Sequence, residues 1–131
     1  MLLAFVPGCA EDTAEQLRIV ADCGNFVFPT GVDLVWYHRE VMFGDSVAEA
    51  VVDIPTGQLS DFKERSKLVE FAPGVPTRWK ESFWQGSGQI ELLSDVERNQ
   101  RLVEVNQTPA RAVIVHDRGS DSPRVFVRAA C

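Results

Sequence analysis

Two histidines, three cysteines and three tryptophans are the residues of this 131-residue chain best suited to chemistry or recognition. Two imidazoles with a nearby carboxylate can ligate a metal or serve as general acid and base. His38 and His116 are the only imidazoles, and His116 is followed by Asp117. On a strand, adjacent side chains point to opposite faces, so His116 and Asp117 do not share one metal. A small hydrolase using His38 or His116 is one reading. Polar positions on a sheet face or rim are the other. Motifs that would decide for catalysis are missing. There is no phosphate-binding G-x-x-x-x-G-K-[ST], no dinucleotide G-x-G-x-x-G and no H-E-x-x-H. Gly86-Ser87-Gly88 does not make a nucleophile elbow, because Gln85 stands where that motif needs glycine. No cofactor is implied.

The cysteines bear on compartment. Cys9, Cys23 and Cys131 include no C-x-x-C pair, and three scattered thiols with two histidines do not spell a zinc site. In an exported chain Cys23 and Cys131 are disulfide candidates, closing a loop of about a hundred residues. In the cytosol all three are free thiols, with Cys23 a small hydrophobe near a helix end. The start reads in two ways. Met1–Val6 is an apolar run, followed by Pro7-Gly8-Cys9 and then Glu11-Asp12. Small Gly8 before Cys9 matches the tail of a lipoprotein signal, with Cys9 as the lipidation candidate, although a basic n-region is missing and the run is short. Alternatively Leu2–Val6 is a core strand and Pro7-Gly8 its turn.

Trp79 and Phe83 stand at i, i+4 with Trp84 alongside, so one turn displays three large rings among Arg78, Lys80, Glu81 and Gln85. Such a cluster makes a pocket wall or a partner-binding anchor, or it lids the open end of a core. Together with Trp36 these are the ligand-binding candidates. A partner protein or a small apolar ligand fits them chemically. Acidic Glu49 and Asp53 alternate with Val47 and Val51, which reads as a mixed, solvated sheet face. Arg124 and Arg128 share a face near the C-terminus, as a solvated row or an anion site.

Elements must position these residues. Thr13-Ala14-Glu15-Gln16 is a capping box, and Ala14, Leu17, Val20 and Ala21 recur at helical spacing, which predicts a helix over 13–23 with Gly24 after its end. Strands are predicted at 32–39 and 47–54, joined too closely to be anything but antiparallel, the second with Ala48, Ala50, Val52 and Ile54 on one face. A helix near 57–68 follows Pro55. Residues 69–88 are either a short amphipathic helix or an irregular covering loop. Four more strands are predicted at 89–96, 101–106, 110–117 and 124–130. Few helices among runs of strands mean α+β: an antiparallel sheet of about five to seven strands with two to three helices packed on one face.

Composition sets the outer bounds. Apolar residues make up 45% and charged residues 24%, which is globular composition, and the length suits one domain. Thirteen basic against nineteen acidic side chains give a net charge of −6, a field that repels nucleic acid and anionic lipid. No run approaches the ~18–20 apolar residues of a membrane helix. A free sheet edge or exposed tryptophans would permit a homodimer.

Residues Pro29-Thr30-Gly31-Val32 through Trp36-Tyr37-His38, then Val51-Val52-Asp53-Ile54-Pro55 and Leu59-Ser60-Asp61-Phe62, carry a resemblance. They are similar to small bacterial lipoproteins of uncharacterised function, which share a Pro-led strand, a hairpin and a Pro-started helix after an N-terminal cysteine. The resemblance covers residues 9–68. It implies an exported, membrane-anchored module and no catalytic residue. The expected function is therefore a non-enzymatic binding module of the cell envelope. A cytosolic pocket protein of cystatin-like type is the alternative beside the hydrolase.

Overall fold

A computed structural model describes residues 12–131; Cys9 and the apolar run Met1–Val6 lie outside the described residues. In chain order the elements are α1 (Thr13–Gly24), β1 (Asp33–Met42), β2 (Asp45–Asp53), α2 (Leu59–Arg65), β3 (Ala72–Pro73), α3 (Trp79–Ser82), β4 (Asn99–Glu104), β5 (Ala110–His116) and β6 (Arg124–Ala130). The six strands form one sheet in the order β1-β2-β6-β5-β4-β3. Every neighbouring pair is antiparallel. The fold is α+β.

Strand alternation divides the apolar residues between two cores. On one face Ala48, Ala50, Val52, Val113, Val125 and Val127 pack against Val20 of α1 and Phe62 of α2. The helical period of α1 and the even parity of β2 are what meet there. The opposite face also carries a core: Val51, Ala112, Ile114 and Phe126 pack beneath Trp79, Trp84 and Leu93. Residues 75–98, with α3 and two 3₁₀ turns, thus form a second layer. The reading of that face as solvated is corrected here, because Glu49 is only 5% exposed.

Three local expectations are also corrected. The N-cap of α1 is Asp12 rather than Thr13: its side chain accepts the Glu15 N–H at 2.8 Å, which satisfies one of the free donors of the first turn. Asn25 takes the left-handed position (φ 56°) after the helix, while Gly24 is its last residue. Glycine is required at 24 for a different reason, since a Cβ there would sit 2.2 Å from the Phe26 ring and 2.9 Å from Ala129 Cβ. Finally, Gln89–Val96 is not a strand. Ile90–Ser94 and Val96–Arg98 are 3₁₀ turns. Asn99 Nδ2 donates to the carbonyls of Leu92 (2.9 Å) and Asp95 (2.6 Å), so the backbone finds partners without a ladder.

Cys23 and Cys131 are joined by a disulfide with Cα atoms 5.3 Å apart, linking the last turn of α1 to the residue after β6. Among the described residues no helix is long and apolar enough to cross a membrane.

Candidate functional site

Trp84 is the centre of the aromatic cluster and is completely buried. Its backbone is left-handed (φ 55°), which costs a non-glycine residue about 1–2 kcal/mol. Burying an indole removes ~150–250 Å² from water, worth roughly 4–6 kcal/mol at ~25 cal/mol per Å². The burial wins. Nε1 donates to the Val127 carbonyl at 2.8 Å and the backbone N–H donates to Glu49 Oε2 at 3.0 Å, so neither polar group is left unsatisfied. Its ring meets Phe126, Trp79 and Phe83 edge-on. Trp84 is therefore core and does not line the groove beside it. Trp36 lies half-buried on β1, stacked on His38 with centroids 5.9 Å apart.

Half-buried Phe83 and an edge of the buried Trp79, with the sheet, bound an open groove of about 200 Å³. The α3 turn places both rings on one side. Strands β4, β5 and β6 supply the rest, because alternate residues of each face this layer. Ala110, Ala112 and Ala130 form a floor of methyl groups, Val103 and Val105 form the opposite wall, and Arg128 stands at the rim. Val105 is 69% exposed and Val103 44%, so this wall meets water. Arg128 is held in place twice: Nη1 donates to Glu49 Oε2 at 2.8 Å and the guanidinium lies 4.1 Å from the Phe83 ring centroid. Small floor, apolar walls and a fixed cation describe a seat for an apolar group, with room for one polar or negative atom near Arg128.

A larger recess, about 750 Å³, lies between the C-terminal ends of α1 and α2 and the β4–β5 loop. Its most prominent cation is already engaged. Arg111 is buried, pairs with Glu104 at 2.6 Å and donates to the carbonyls of Gly24 (3.1 Å), Ser66 (2.8 Å) and Lys67 (3.4 Å). A guanidinium on carbonyls at two helix ends satisfies orphan acceptors and opposes both dipoles. The recess is a joint between elements rather than a seat for a ligand.

The remaining titratable groups are dispersed. His38 and Glu40 form an exposed pair at 3.1 Å on the outer strand. His116 lies on β5, with β2 and β6 between it and β1, so the two imidazoles are not brought together. Asn99 Nδ2 is engaged with carbonyls, which turns Oδ1 toward His116 Nδ1 at 3.0 Å and places the ring proton on Nδ1. Burial pushes the His116 pKa below its ordinary 6.5. Arg124 and Arg128 are not a solvated row: Arg124 grips Asp53 through two 2.8 Å bonds and Arg128 holds Glu49. Among the described residues no group of three metal-ligating side chains occurs.

Comparison of the chain with protein-family models, with curated proteins and with solved structures returns no match. The groove was half legible in the sequence. Trp79 and Phe83 were visible from their spacing. The alanines were not, since their role depends on the registers Ala110↔Ala130 and Ala112↔Arg128 across β5 and β6.

Proposed function

We propose that this chain is an exported, non-enzymatic binding module that seats an apolar group, either a partner's side chain or a small free ligand, in the groove between Trp79, Phe83 and the alanine floor. The observation that carries this reading is the groove itself. Two aromatic walls stand over three adjacent alanines, where larger side chains would close the space. The Cys23–Cys131 disulfide supports export, because such bridges persist in oxidising compartments. The lipoprotein-like N-terminal pattern around Cys9 agrees with that compartment.

Titration of the intact protein with toluene and with N-acetyl-phenylalaninamide, followed by ligand-observed NMR, tests the reading. Both probes bind, and Ala110→Leu, which fills the floor, weakens both at least tenfold. Preference for the amide assigns the seat to a protein side chain, and preference for toluene assigns it to a free apolar ligand. Equal binding by wild type and Ala110→Leu would contradict the proposal.

A further inference from the structure

Phe43 breaks two rules at once. It stands with Gly44 in the two-residue turn between β1 and β2, closed by the pair Met42↔Asp45. Both turn residues have positive φ, 52° for Phe43 and 86° for Gly44, a type I′ turn in which Asn-Gly is favoured and a bulky residue is strained. The side chain is also fully exposed, with Val41 beside it 65% exposed. Local turn chemistry and the hydrophobic effect both argue against phenylalanine at this position, and an apolar residue at such a position points to a contact outside the fold.

The tip and the groove lie at the same end of the sheet. Glu40 pairs with Val47, Val47 with Ala130 and Ala130 with Ala110, so one row crosses from β1 to the groove floor. Phe43 projects three residues beyond that row. β2 and β5 are separated only by β6, roughly 10 Å at ~4.8 Å per strand. The ring is fully exposed and does not line its own groove, whereas a twofold partner can present its tip while receiving this one. Charge permits the same pairing: Glu40 and Asp45 flank Phe43, and Arg128 at the groove rim, although paired with Glu49, keeps its side chain 28% exposed. Those carboxylates oppose an anionic bilayer as the target, and the net charge of −6 on each copy also weakens the pairing of two copies.

Resting on the groove reading above, we infer that the Phe43 hairpin tip inserts into the Trp79–Phe83 groove of a second copy of this chain, forming a reciprocal dimer in which tip and ligand compete for one seat. Two phenyl rings bury far less than the ~1,200 Å² of a standard interface, so the dimer is weak and concentration-dependent.

Sedimentation equilibrium of the full chain up to about 1 mM, the range such a small contact requires, tests this. Wild type associates, and Phe43→Asn, which suits the turn and removes no core contact, raises the dimer Kd at least tenfold. Ala110→Leu does the same. An equimolar mixture of the two variants associates more tightly than either alone, because one intact tip meets one intact groove. A wild type that stays monomeric, or a Phe43→Asn variant that associates unchanged, overturns the inference. So does Phe43-dependent flotation with phosphatidylcholine vesicles in a protein that stays monomeric. Probe binding by monomeric Phe43→Asn separates the two claims: if it binds toluene while no dimer forms in wild type, only the dimer is lost. If Ala110→Leu abolishes dimerisation while no probe binds wild type, only the ligand reading is lost.

Discussion

Glu49 joins three parts of the groove's support. One oxygen, Oε2, accepts from the Trp84 N–H at 3.0 Å and from Arg128 Nη1 at 2.8 Å, tying the left-handed turn and the rim cation to the centre of the sheet. Its side chain is 7% exposed and that of Arg128 28%, so solvent screens the pair only partly. Removing one partner of such a pair strands the other. Glu49→Ala is expected to destabilise the protein by about 3 kcal/mol in urea titration. Glu49→Gln costs less, because the amide oxygen still accepts. His116 supplies a pH dependence. Burial lowers its folded pKa below 6.5, so the unfolded chain binds the proton more readily. Its contribution is fully present above pH 6.5 and is lost as pH falls through the folded pKa. The urea midpoint therefore drops between pH 7.5 and 5, and the drop is shallower in His116→Gln. An unchanged slope in that variant would contradict the assignment.

At the level of elements, the disulfide is the clasp between α1 and β6. It spans 108 residues of chain, so reduction releases nearly the whole described chain from a single closed loop. Loop-closure arguments give about 2–5 kcal/mol for such a bridge. Cys131→Ser is expected to lose stability within that range by urea titration. Alkylation of the denatured, unreduced protein with intact-mass readout should find one free thiol, against three after reduction. Elements with strong local signals were readable in advance. The period of α1 and the alternation Ala48, Ala50, Val52 and Ile54 both survive in the helix-side core. The 3₁₀ turns of 90–98 were not readable, because Ile90, Leu92 and Leu93 look strand-like until Asn99 is seen satisfying two of the segment's carbonyls. Glu49, Asp53, Arg124 and Arg128 misled for a related reason. Charges alternating with valines indicate water only when no layer covers them, and cross-strand pairing of Glu49 with Arg128 and Asp53 with Arg124 is a long-range fact of register.

For the whole molecule, a single sheet carries two unequal layers. One is a conventional helical layer held by the disulfide and by Arg111 at two helix ends. The other is thin and aromatic, and it stops short of the sheet's end, leaving Ala130 exposed and Ala110 half-exposed beside the buried Ala112, at the groove bounded by Trp79 and Phe83. The binding reading rests on that gap. The most direct measurement is amide and methyl NMR of the intact, oxidised protein during toluene titration. Shifts concentrated at Val103, Val105, Ala110, Ala112 and the Trp79 indole are the predicted result. Shifts centred on the recess around Asn25 and Lys67, or no saturable shifts at all, would contradict it.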